Sequence, residues 1–132
     1  MKKTTSRAAS LVSVFVMLVT LTTILTSCVN KNTIIGEWTF VEYDYSKAKS
    51  TFNSYVFDWD VYVFKKDGTC DAGFSVDDIR IRLYWSFDKK NKNWRIAEHK
   101  DYLEKEERWY ETVEISGGKN MNIAYMKLKK KN

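Results

Sequence analysis

From Ile34 onward, apolar side chains recur at every second position rather than every third or fourth, and this alternation limits the fold more than any other feature. The clearest run is Ile79, Ile81, Leu83, Trp85 and Phe87, interleaved with Arg80, Arg82, Tyr84 and Ser86. Such a strand has one apolar face and one wet face. Residues 34–43 predict a first strand. Tyr55, Phe57, Trp59, Val61 and Val63 share one face of a long second strand, and Cys70, Ala72, Phe74 and Val76 share a face of the third. Trp94 and Ile96, residues 110–115 and residues 121–128 complete the series. Turn sequences separate the runs, among them Lys65-Lys66-Asp67-Gly68 and Ser116-Gly117-Gly118-Lys119-Asn120. Residues 44–54 read as a loop or a poorly formed helical turn. Residues 98–108 read as a long hairpin tip or one helical turn.

Seven or eight short strands joined by tight turns imply an all-β fold, an antiparallel up-and-down meander. No segment between them is long enough for the crossover helices of a parallel sheet. Closure into a small barrel removes the exposed edges of a single sheet. The 132 residues suffice for one domain. Residues 34–128 are its expected extent, with a basic tail at 129–132.

The net charge of +5 is not spread evenly. Lys2, Lys3 and Arg7 lie in a leader without acids, and Lys127, Lys129, Lys130 and Lys131 crowd the other terminus. The body between them is slightly acidic, so nucleic acid is not an expected partner. An aromatic content of 15% argues against disorder.

The leader has the layout of a secretion signal: a positive start, an apolar run over residues 8–25, then Leu25-Thr26-Ser27-Cys28. That ending resembles the bacterial lipobox, in which small residues admit the peptidase and the Cys thiol receives diacylglycerol. Residues 1–27 are then a signal peptide, Cys28 the acylated first residue, and residues 28–33 a tether. The other reading is an uncleaved anchor, for which about 18 apolar residues is the lower limit. Both place the remainder outside the cytoplasm. Val29 stands where an inner-membrane retention signal would carry Asp. By resemblance to lipoprotein sorting, the expected address is the periplasmic face of an outer membrane. If Cys28 carries lipid, Cys70 has no disulfide partner and reads as a buried thiol.

The order Ile35-Gly36-Glu37-Trp38-Thr39-Phe40, residues 61–64, Lys66-Asp67-Gly68-Thr69, a Trp-bearing strand and a closing hairpin resembles the lipocalin-like domain of small bacterial lipoproteins. The resemblance implies a lipocalin-like barrel able to hold a small apolar or amphipathic ligand. It also implies that Trp38 plugs the closed end, often against an Arg of the last strand. That strand offers Lys127 and no Arg.

Trp38, Trp59, Phe74, Leu83 and Trp85 are the candidate ligand-lining residues, on the expected inner faces. Eight strands leave an interior that side chains fill or that holds one ligand, and both readings stand at this point. A second reading is a module that binds a protein or glycan outside the barrel. Its surface would be Tyr62, Phe64 and Tyr84, with Arg80 and Arg82 nearby. Neither a catalytic residue nor a cofactor is expected. His99 is the single imidazole and lies in a charged stretch, and no Gly-x-Ser-x-Gly turn presents a nucleophile. Asp58 and Asp60 fall on one strand face, about 7 Å apart by strand rise, where a solvated face is the expected reading. One His and one spare Cys do not suggest a metal site. A monomer is expected.

Overall fold

The computed structural model describes residues 29–47 and 58–132. Cys28 and the leader lie outside the described residues, as do Tyr55 and Phe57. The chain divides into a first unit, Met1–Asn30, and a second, Lys31–Asn132, which is the barrel.

The eight strands are β1 (Gly36–Tyr43), β2 (Val61–Phe64), β3 (Thr69–Gly73), β4 (Arg80–Asp88), β5 (Asn93–Ala97), β6 (Glu111–Ser116), β7 (Asn120–Ile123) and β8 (Met126–Lys130). Each pairs antiparallel with the next, and β8 returns to β1, so the sheet closes on itself. The all-β, up-and-down barrel expected from the alternation is the observed fold. A bulge between Phe40 and Glu42 in the closing pair leaves Val41 outside the ladder.

The registers define one inner face. Trp38 stands opposite Tyr62, Phe64 opposite Cys70, Cys70 opposite Leu83, and Trp94 opposite Val113. Met121 and Leu128 continue the ring back to Phe40. Trp38, Tyr62, Phe64, Leu83 and Trp94 are all essentially without solvent contact. Outward positions such as Glu37, Asp71, Arg82, Arg95, Glu114 and Lys127 are charged, the reverse of a lipid-facing barrel.

Several expectations need correction. Tyr62 and Phe64 are inside the barrel, not on an outer patch with Tyr84 and Arg82. The phase set by Trp59 does not carry into β2, because the backbone bends at Asp58, with φ of 72°, and at Asp60, which still bonds through its backbone to Phe40 and Gly73. Asp58 and Asp60 therefore share no strand face. Phe74 and Val76 do not continue β3. The strand stops at Gly73, where a Cβ would collide with the Ile79 carbonyl as the next loop folds back. Residues 121–128 are two strands, turned at Ala124 and Tyr125, with Ala124 at φ of 52°. The charged segment 98–110 holds two short 3-10 turns, Lys100–Glu104 and Glu107–Trp109.

One end of the barrel is plugged by the 3-10 turn Lys31–Ile34. Two indoles fix it: Trp38 Nε1 donates to the Ile34 carbonyl at 2.8 Å, and Trp94 Nε1 to the Lys31 carbonyl at 2.9 Å. A buried indole needs an acceptor, and the turn supplies a backbone carbonyl to each. The last strand extends to Lys130, two residues beyond the expected end. Its ammonium lies 5.4 Å from the centre of the Trp38 ring and donates to the Thr33 carbonyl at 2.9 Å. The last strand thus places a lysine, not the Arg that the resemblance implies, beside Trp38.

Candidate functional site

The long connections gather at the other end, where β1 finishes; we call it the loop end. Connections 44–60, 74–79 and 98–110 leave from it, whereas the plugged end carries only the tight turns 65–68, 89–92 and 117–119. Binding residues tend to sit on such loops above a rigid scaffold.

Three tyrosines meet at this end. Tyr43 leaves β1, Tyr45 follows in the turn Tyr45–Lys47, and Tyr125 lies between β7 and β8. Their ring centres are 5.3 to 5.7 Å apart, and Phe40 lies 4.7 Å from Tyr43. Tyr45 keeps 70% of its surface exposed. The Tyr43 hydroxyl donates to Asp58 Oδ1 at 3.3 Å. Partial desolvation, and then the neighbouring Asp58 carboxylate, raise the Tyr43 and Tyr125 hydroxyls above the usual tyrosine pKa.

A second apolar group is joined to the first through Asp58-Trp59-Asp60. Trp59 packs against Phe74 at 5.2 Å between ring centres. Asp60 accepts both the backbone N–H and the hydroxyl of Ser75, at 2.7 and 2.8 Å. Arg80 donates to the carbonyls of Phe74, Asp77 and Ile79, all within 3.0 Å, and Asp77 accepts the Ile79 N–H. The loop is thus tied from both sides, yet Val76 is 90% and Ile79 72% exposed. Aliphatic side chains held rigidly in water suit a binding surface, because little ordering entropy remains to be lost.

The five expected ligand-lining residues separate. Trp59 and Phe74 come together at the loop end, with Phe74 44% exposed. Trp38 and Leu83 are sealed in the packed interior. Trp85 is half-buried toward the plugged end, where its indole donates to the Lys65 carbonyl at 2.8 Å. They do not line one site.

Arg80 is spent on the loop and Arg82 lies 3.6 Å from Asp71, so neither belongs to an outer aromatic patch. His99 is exposed against Glu98 and the edge of Tyr102. Cys70 is buried and free, and desolvation pushes its thiol well above the usual range. Glu111 is the charged side chain buried among the described residues, opposite Ile96 on the inner face; pattern reading passed over it because its neighbours alternate normally. Among the described residues, no group of three or more His, Cys, Asp or Glu is arranged to hold a metal ion. Nor does any described helix have the length and apolarity to cross a membrane.

Comparison with known proteins finds no family model, no curated protein and no solved structure that matches the chain.

The tyrosine trio escaped the sequence reading because Tyr43 and Tyr125 are 82 positions apart. Only the closure of β1 on β8, with Tyr43 opposite Met126, brings them together.

Proposed function

We propose that this protein is a non-enzymatic, lipid-anchored component of the cell envelope, a lipocalin-like barrel that holds an amphipathic partner at its loop end. The Cys28 thiol displaces the phosphorylated headgroup of a phospholipid and keeps its diacylglycerol as a thioether, hydrolysis of the peptide bond before it removes residues 1–27, and the barrel stands at the periplasmic face of an outer membrane. Two acyl chains exceed what stable anchoring requires. The resemblance to small lipocalin-like lipoproteins gains support from Trp38 plugging one end beneath a cation of the last strand.

One observation carries the binding reading. Val76, Ile79 and Tyr45 are exposed on elements fixed by hydrogen bonds, beside carboxylates at Asp44, Asp58 and Asp77. An apolar contact with a polar fringe fits an amphipathic molecule better than a purely apolar one. Trp38, Tyr62, Phe64 and Trp94 are buried in one packed cluster inside the barrel, which supports the rim over the interior.

Native mass spectrometry of the full protein purified from its own host, beside a Tyr45→Ala/Ile79→Ser variant, tests the proposal. The expected result is a retained species on the wild type that the variant loses while staying folded. Equal retention by both, or none by either, would overturn it.

A further inference from the structure

Along the sequence the positive charge lies at the two chain termini, but the fold redistributes it. All three tight turns of the plugged end carry lysine: Lys65-Lys66, Lys89-Lys90-Asn91-Lys92 and Lys119. The C-terminal end of β8 and the plugging turn add Lys129-Lys130-Lys131 and Lys31. Part of this charge is neutralised, since Lys65 pairs with Asp71 at 2.6 Å and Lys131 with Glu37 at 3.7 Å. Lys31, Lys66, Lys89, Lys90 and Lys119 are exposed and make no ion pair among the described residues.

Lys31, Lys66 and Lys89 also converge. With Asn32, Asp67 and Gly68 they border a depression of about 540 Å³ that Trp85 and Phe87 line as well. Asp67 is the acid there, and its carboxylate is engaged by the Thr69 N–H and hydroxyl at 3.0 and 2.6 Å. The opposite end is acidic, with Asp44, Asp58, Asp60, Asp77 and Asp78 around the loops.

We infer that the plugged end is a docking face for anionic phospholipid, seating the barrel on the membrane surface with the loop end turned away. The inference rests on the anchoring proposed above, and charge complementarity selects the occupant. Lysines clustered beside a lipid anchor are attracted to anionic headgroups, each favouring the surface by about fivefold. Half-buried Trp85, whose indole is amphipathic, and Phe87 line the depression between them. Covalent connection agrees, because Lys31 is the third residue after Cys28, and three extended residues span about 10 Å at most. Since two acyl chains already retain the protein, the lysines set its orientation. The acidic loop end is repelled from the same surface.

The test uses the full protein, purified from its host and reconstituted into phosphatidylcholine vesicles with or without about one-third phosphatidylglycerol, a composition in which surface charge dominates. A fluorophore is placed on Ser116→Cys at the plugged end or on Val76→Cys at the loop end; Cys70 is buried and does not compete for label. Headgroup spin-labelled lipid is the quencher. The expected result is at least twofold stronger quenching at Ser116 than at Val76 in the anionic vesicles. Raised salt, or the Lys66→Gln/Lys89→Gln/Lys90→Gln variant, should abolish the difference. Equal quenching of the two positions, or a difference indifferent to phosphatidylglycerol, would overturn the inference.

Failure of the anchor reads out separately, as loss of the protein from pure phosphatidylcholine vesicles. The face is then tested by co-sedimentation with anionic vesicles alone, where the triple variant should bind at least tenfold more weakly. Binding unchanged by the variant would overturn the inference there too.

Discussion

The two ends of this barrel are built from the same eight strands and have little else in common. At the plugged end the turns are short, the indoles of Trp38, Trp85 and Trp94 donate to backbone carbonyls, and lysine supplies the surface. At the loop end the connections are long, carboxylates organise them, and tyrosine and aliphatic side chains are left in water. One end of the barrel is sealed. Trp38 and the turn Lys31–Ile34 provide that seal, and the other end carries exposed apolar groups.

The largest effect is expected at the seal. Trp38→Ala removes a fully buried indole together with its hydrogen bond to Ile34, and should cost about 3–5 kcal/mol in urea unfolding. Tyr45→Ala at the loop end should stay within about 0.5 kcal/mol, because the side chain is largely exposed. Comparable losses at both ends would erase the contrast. Gly73→Ala comes next, at about 1–3 kcal/mol, since its Cβ meets the Ile79 carbonyl and the Arg80 side chain, and backbone must move. Circular dichroism melts of the pair Gly73→Ala and Gly117→Ala sharpen the test: a Cβ at Gly117 meets nothing within 4 Å, so only its positive φ of 60° counts against it.

A smaller effect belongs to Lys130. Lys130→Met keeps the stem over Trp38 but removes the ammonium and its bond to Thr33, at a cost of about 1 kcal/mol. The smallest is a pH response at the β4–β5 turn. Hydrogen bonds from Asn91, and then Arg95, hold the Asp88 carboxyl at about 2, below its unfolded value near 4. Its contribution is fully present above the unfolded pKa and disappears as pH falls through about 2. Acid titration of Asp88→Asn should therefore show a shallower loss of stability between these limits than the wild type.

Much of the fold was legible because alternation in β4 and β5 is local and uninterrupted. Ile81, Leu83, Trp85 and Phe87 face inward as their spacing requires, with Trp94 and Ile96 beside them. The phase of β2 was not legible, since the bend at Asp58 is a backbone event with no Gly or Pro to announce it. The break between β7 and β8 hid for the same reason, Ala124 taking a left-handed conformation that Ala seldom adopts. The candidate site was the least readable part. Tyr43 meets Tyr125, and Lys130 meets Trp38, only through the β1–β8 closure. Single-strand periodicity carries no information about which strands meet in that pairing.

The central claim is that binding occurs at the loop end while the interior remains closed. Amide hydrogen exchange, on the full protein as purified from its host and again after stripping with detergent, tests this most directly. The account predicts that stripping lowers protection at residues 58–60 and 74–79 and around Tyr43, Tyr45 and Tyr125. Trp38, Leu83 and the turn Lys31–Ile34 should exchange as before. Protection lost instead along the inner strands, or unchanged throughout, would contradict it.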